Sequence, residues 1–332
     1  MFMSHKILVT GGAGYIGSHI VHALLDAGRL PVVIDNLSTG TRAFVPDNVP
    51  FLEADIIDAH KVEAFIREQS CTSVIHLAGS INVEESTQDP LGYYYNNTCA
   101  SHALIRSCVA QGIKHFIFSS SAAVYGNPDD MQVSEVSQTN PISPYGWSKL
   151  MTEKMLEDVC KVEEMNSISL RYFNVAGADP KGRCGMMTKN ATHLIKALCE
   201  TALGLRPSFS IFGDDYDTPD GTCIRDFIHV SDLADAHVAA LNYLGAGHGS
   251  ETINCGYGAG FSVRQVVDTA EQVNGDAINT QVGPRRSGDI VSMVADVTKM
   301  RACLDWAPRH NDLGKIIQSS LDWERHQGNA TV

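Results

Sequence analysis

Short apolar runs alternate with longer amphipathic stretches through the first half of the chain. Runs at 6–10, 31–35, 50–53, 73–77, 115–119 and 167–172 read as strands, because they are brief, nearly continuous in apolar residues and bounded by turn formers. Helices are predicted between them, beginning near Tyr15, Asp58, Pro90 and Pro144. Asp89-Pro90 and Ser143-Pro144 each set a capping side chain before a proline at the first helical position. Gly28 is placed to end the first helix, and Ser262-Val-Arg-Gln265 has capping-box spacing. Such alternation predicts an α/β fold with a doubly wound parallel sheet, covered on both faces. Beyond about residue 175 the alternation weakens, and glycine, proline and polar residues cluster at 177–190, 213–222 and 245–260. The expected division is therefore a nucleotide-binding unit over 1–175, with elements near 222–255 returning to it, and a smaller, less regular substrate unit over 176–332.

Composition narrows the class. The 332 residues carry 44% hydrophobic and 19% charged residues, a soluble globular balance with ample material for a core. Twenty-five Lys and Arg against 38 Asp and Glu give a net charge of −13, which argues against a nucleic-acid partner. No apolar stretch reaches the ~18 residues of a membrane helix, and the first residues do not form a secretory signal. The nine cysteines are scattered, so reduced thiols and a cytoplasmic location are expected. No histidine pair sits beside a carboxylate cluster, and no metal site is expected.

The run Ile7-Leu-Val-Thr10 leads into Gly11-Gly-Ala-Gly14-Tyr15-Ile16-Gly17 and then a helix. Glycines at 11, 14 and 17 allow a tight turn and close approach of backbone to a pyrophosphate, which the helix N-terminus attracts. This is a Rossmann-type dinucleotide site. The second strand ends in Asp35-Asn36; a carboxylate there accepts ribose hydroxyls and repels a 2′-phosphate, favouring NAD. Asp55-Ile56, after the third strand, is a candidate adenine contact.

Tyr145 and Lys149 share one face at the start of a predicted helix. A nearby ammonium and the helix dipole are expected to favour the phenolate. Ser119-Ser120-Ser121 closes the fifth strand, where hydroxyls enter the ligand crevice, and Ser121 can share a substrate oxygen with Tyr145.

Ser121, Tyr145 and Lys149 behind a dinucleotide loop resemble the extended short-chain dehydrogenase/reductase superfamily. Further segments narrow the resemblance to the UDP-glucose 4-epimerase family: His76-Leu-Ala-Gly79, Pro90-Leu-Gly-Tyr-Tyr-Tyr-Asn96-Asn97, Leu170-Arg-Tyr-Phe173-Asn174, Gly221-Thr-Cys-Ile-Arg225-Asp226 and Pro284-Arg-Arg286-Ser-Gly-Asp289. It spans nearly the whole chain. The resemblance implies NAD contacts from Tyr15, Ile16, Asp35, Asn36, Asp55, Ile56, Leu77, Ala78, Gly79, Asn96, Ser121, Tyr145, Lys149 and Phe173. It implies UDP-sugar contacts from Ser121, Tyr145, Asn174, His193, Leu194, Ser210, Ile211, Phe212, Arg225, Arg286 and Asp289, with Met293 beside the sugar's C2 group. Arginine suits a diphosphate by charge and fork geometry. One departure is Gly79-Ser80-Ile81, where the family often has a lysine after Gly-Leu; that cofactor contact is not carried over.

The implied reaction interconverts UDP-glucose and UDP-galactose by transient oxidation at C4, turning of the 4-keto sugar, and return of hydride to its opposite face. Other UDP-sugars (UDP-N-acetylglucosamine, UDP-xylose or arabinose, UDP-glucuronate) stay open as substrates. A nucleotide-sugar dehydratase needs an added acid pair after the strand-five hydroxyl, where this chain has Ala122 and Ala123. A cofactor sensor without catalysis is expected to lose the serine, the tyrosine or the lysine, and all three are present. The resemblance also implies a homodimer, paired through the predicted helices at 90–112 and 144–164.

Overall fold

The computed structural model describes residues 5–128, 130–188, 192–286 and 289–330. Seven strands, β1 (Lys6–Thr10), β2 (Leu30–Asp35), β3 (Phe51–Glu53), β4 (Cys71–His76), β5 (His115–Ser121), β6 (Asn166–Tyr172) and β7 (Glu251–Cys255), form one sheet. All pairings are parallel, in the order β7-β6-β5-β4-β1-β2-β3. The order reverses between β1 and β4, and a doubly wound sheet opens a ligand crevice at that switch point. Both faces are covered. One core packs Ile7, Val9, Ile75, Ile117 and Ile168 against the helices Tyr15–Asp26 and Val230–Gly245. The other packs Leu8, Val74, Phe116 and Phe118 against the helices Ala59–Gln69 and Ala100–Ala110 and against Leu156 of the Pro144–Val162 helix. The near-continuous apolar strands of the sequence are what such double coverage requires.

The seventh strand lies within the segment expected to return to the sheet; Glu251–Cys255 pairs with β6 from Ile168 to Tyr172. The remaining strands form a mixed sheet containing Ile224–His229, Gly260–Ser262, Ser292–Ala295 and Gln132–Val133, and a parallel pair of Phe209–Phe212 with Thr280–Gly283. A separate core of Leu198, Phe209, Ile211, Val266, Ile316 and Leu321 supports that pair.

Capping follows the sequence signals. Ser143 accepts from Gly146 N and Asp89 from Gly92 N. Both halves of the capping box at Ser262 and Gln265 are made. Gly28 adopts φ 68° just after the first helix. The helix expected from Pro90 onward is interrupted: Pro90–Tyr93 is α, Tyr94–Cys99 widens to a π turn, and Ala100–Ala110 resumes as α. A short helix, Val83–Gln88, capped by Asn82, precedes it.

Candidate active site

The glycine loop runs over the switch point. Gly11 has φ 70°, and a Cβ there would lie 2.8 Å from Ala78 N, so this position needs glycine twice over. A Cβ on Gly17 would lie 2.0 Å from Gly11 O, so helix and loop touch backbone to backbone. The helix that follows has no side-chain cap and no acid in its first turn. Its first N–H groups stay available for an anion. Asp35 closes the far side of the loop. Its Oδ2 accepts from Ala13 N at 2.9 Å and its Oδ1 from Leu37 N at 2.8 Å. The carboxylate thus shapes the loop as well as facing the cleft, and its remaining lone pairs are open to a ribose.

That cleft has a volume of about 840 Å³ and is lined from the glycine loop past Asp35, Asn36, Asp55 and Ile56 at one end to Ser121, Tyr145 and Lys149 at the other. Leu77, Ala78, Gly79, Asn96, Phe173, Asn174, His193, Leu194, Arg225 and Met293 also line it. The expected cofactor residues therefore meet in one cleft, together with most of the expected substrate residues. Ser210, Ile211, Phe212, Arg286 and Asp289 are placed differently. Ile211 is buried in the separate core, Ser210 points outward, and Arg286 lies over the Phe212 ring at 3.9 Å. Asp289 meets Arg225 at 3.5 Å, so this group adjoins the cleft through Arg225. Ser287 and Gly288 lie outside the described residues.

At the catalytic end, the last residues of β5 meet the Pro144–Val162 helix. The Ser119 carbonyl accepts from Lys149 Nζ at 2.8 Å, and the Ser121 hydroxyl faces the Tyr145 phenol. Both Tyr145 and Lys149 are buried. Burial pushes the Tyr145 phenol above its ordinary value, with the Ser121 hydroxyl opposing. This corrects the expectation that ammonium and helix dipole lower it: Lys149 Nζ stands 5.8 Å from the tyrosine ring centroid and spends a donor on Ser119, and desolvation dominates. Burial also pulls the Lys149 ammonium down to about 8, with Glu153 opposing.

The bonds that hold the loop after β4 were not read from the sequence. Asn97, in the π turn, accepts from Ser80 N at 2.7 Å and donates to Ser80 O at 2.9 Å and Ser148 Oγ at 3.0 Å. It fixes the loop after β4 to the helix that carries Lys149. Asn96 donates to Ser80 Oγ at 2.9 Å. Ser80 stands in the segment that departs from the family's lysine, so the loop is held from below instead. His193 is half-buried, and its buried Nδ1 has no partner among the described residues; in a cleft wall such an atom is a free contact for a ligand. Among the described residues no group of His, Cys, Asp or Glu could hold a metal ion, and no helix is long and apolar enough to cross a membrane.

Fold and site together define an NAD-linked enzyme of the short-chain dehydrogenase kind. Residues 7–256 match the NAD dependent epimerase/dehydratase family, and the chain belongs to it. It is 53% identical to the UDP-glucose 4-epimerase of Azospirillum brasilense over 97% of this chain and 92% of that one. It is 45% identical to the UDP-Glc/GlcNAc 4-epimerase of Campylobacter jejuni, with a TM-score of 0.86 over 97% and 99% of the two chains. The UDP-glucose 4-epimerase of Bifidobacterium longum, in complex with NAD+ and UDP, is 35% identical with a TM-score of 0.91, covering 98% of this chain and 99% of that one.

Proposed function

We propose that this protein inverts C4 of a UDP-sugar, interconverting UDP-glucose and UDP-galactose. The observation that carries the reading is the meeting of Ser121, Tyr145 and Lys149 in the same cleft as the glycine loop and Arg225. Residues 1–175 would hold chiefly the cofactor and residues 176–332 chiefly the sugar nucleotide. Gly11, Gly14, Tyr15, Ile16, Gly17, Asp35, Asn36, Asp55, Ile56, Leu77, Ala78, Gly79, Asn96 and Phe173 are assigned to NAD. When bound, NAD supplies a reversible hydride acceptor and a positive ring in a dry site.

Tyr145 takes the proton of the C4 hydroxyl and later returns it; Ser121 orients that hydroxyl. Lys149 holds the end of β5 through the Ser119 carbonyl and is assigned to the nicotinamide ribose. Arg225 and Arg286 clamp the diphosphate, and Asp289, paired with Arg225, sets the height of that clamp. Asn174, His193, Leu194 and the 210–212 strand hold the remainder of the nucleotide. Anchoring at the diphosphate leaves the sugar ring free to turn, so binding remote from C4 serves both halves of the reaction. Ala122 and Ala123 line the cleft, at the positions where a dehydratase needs its acid pair. Met293 is buried beside Ala122 and Leu150, and its flexible thioether sets how large a C2 substituent fits.

Product analysis against a panel of UDP-sugars without added NAD tests the reading: UDP-glucose must give UDP-galactose, and a protein inert on the whole panel contradicts it. A UDP-N-acetylglucosamine product would widen the substrate range. Leu91, Tyr95, Trp147, Met151 and Val162 are exposed on the two helical segments expected to pair. Burying them between two copies makes a homodimer. Trp147→Glu should convert a dimeric elution in size-exclusion chromatography with light scattering to a monomeric one; a wild-type monomer at micromolar concentration overturns the assembly.

A further inference from the structure

Behind the catalytic wall lies a buried polar chain that the reaction as described does not use. Glu153 follows Lys149 by one helical turn and is buried. Its Oε1 accepts from Arg171 Nε at 2.9 Å and its Oε2 from Arg171 Nη2 at 2.6 Å, a two-point pairing. Oε1 also takes the hydroxyl of Ser120. Arg171 Nη1 donates to the Tyr125 hydroxyl at 3.1 Å, and Tyr125 to Asn254 Oδ1 at 2.6 Å. Three consecutive residues at the end of β5 are thus divided in their tasks. The Ser119 carbonyl holds Lys149, the Ser120 hydroxyl holds Glu153, and the Ser121 hydroxyl meets Tyr145.

We propose that Glu153 is a positioning residue for the Tyr145–Lys149–Ser121 constellation: paired with Arg171 and Ser120, it locks the end of β5 to the catalytic helix and supplies the anion that faces the Lys149 ammonium. This rests on the function proposed above. A surface carboxylate at this helical position could do neither, because it would be screened by water and tied to nothing. Here the pair is dry, and dropping one partner leaves the other charge buried. Around Lys149 the remaining titratable groups are Tyr145 on its own helix, His76 on β4, Tyr172 on β6, and the Tyr93–Glu85 pair on the helices packed against Pro144–Val162. Glu135 faces the far end of the chain, accepting from Asn254 N at 2.7 Å. His76 is held neutral by burial, and all three tyrosines lie above their ordinary values. Glu153 is the anion on the Lys149 side of this set, and it is the group that opposes loss of the lysine's proton.

The test is the pH profile of Glu153→Gln holoenzyme with UDP-galactose. Turnover should fall about tenfold at pH 8, KM should stay within about twofold, and the alkaline limb should begin about one pH unit lower than in the wild type, because a lysine without its facing anion loses its proton sooner. Glu153→Asp should bring the alkaline limb back with only part of kcat. The double variant Glu153→Leu/Arg171→Met removes both charges at similar volume and covers the case in which an unpaired Arg171 unfolds Glu153→Gln; it should move the alkaline limb the same way by a smaller amount, because the Arg171 cation is gone as well. An alkaline limb unmoved in a folded variant overturns the proposal. A wild type that fails to epimerise overturns the function instead, so the two failures are distinguishable.

Discussion

Tyr145 is a phenol in a dry pocket, and that alone keeps its proton on. The tyrosine gains no direct contact with an ammonium head, because Lys149 donates to Ser119. Among the described residues, Ser121 is the neighbour that favours its ionisation. Burial thus sets the unliganded site against ionisation of Tyr145. Tyr145→Phe removes the proton-transfer group and keeps the ring. Turnover should fall about 10²–10⁴-fold, the usual contribution of a positioned acid–base group, while UDP binding, measured by calorimetry, stays within threefold of about the wild-type constant. Turnover within tenfold of wild type would assign the chemistry elsewhere.

The element scale shows what a linear pattern can carry. Strand runs 6–10 and 31–35 are found within one residue of their expected ends, because a strand buried on both faces must be written as consecutive apolar residues. The glycine loop was legible for the same kind of reason: each constraint falls on one residue at a fixed spacing. The π turn was not. It inserts its extra width at Tyr94–Cys99 without breaking the apolar pattern on either side, and such turns concentrate at functional sites. Glu153 was equally hidden, since among Met151-Thr-Glu-Lys154 it looks like a solvated position; only the polar Arg171 inside an apolar strand hinted at a buried partner. The π turn's consequence can be tested at Asn97. Asn97→Ala deletes the three bonds that clamp Ser80 and Ser148. Losing buried bonds of this kind costs about 1–3 kcal/mol, and the freed segment carries Leu77, Ala78 and Gly79 in the cleft wall. NAD should dissociate faster from this variant, read as cofactor lost on gel filtration, with a circular-dichroism spectrum like the wild type's. Undiminished cofactor retention would mean that the loop needs no clamp.

The same dryness that tunes the site sets the acid limit of the whole molecule. Burial holds His76 down to about 3, His19 and His237 to about 4, and His229 to about 3. These side chains are neutral in the fold and titrate near pH 6.5 once the chain is unfolded. Unfolding below that pH takes up their protons. Their contribution to stability is complete above pH 6.5 and is lost as the pH falls toward the folded values. Asp226 works in the opposite sense. Burial raises it to about 6 against the pull of Tyr257 N, Ala295 N and Gly258 N, so the fold keeps a proton there that the unfolded chain releases. At pH 5 the four histidines outweigh the one aspartate, and unfolding should take up about three protons, a slope near 4 kcal/mol per pH unit. Urea titrations between pH 6 and 4.5 measure that slope directly. His237→Gln tests the assignment away from the cleft: its ring lies on the Val230–Gly245 helix, is fully buried and donates from Nδ1 to Leu233 O, so the variant should unfold with about one proton fewer and a slope lower by about 1.4 kcal/mol per pH unit. A slope unchanged by the substitution would show that His237 is already charged in the fold, and that acid lability arises among the carboxylates instead.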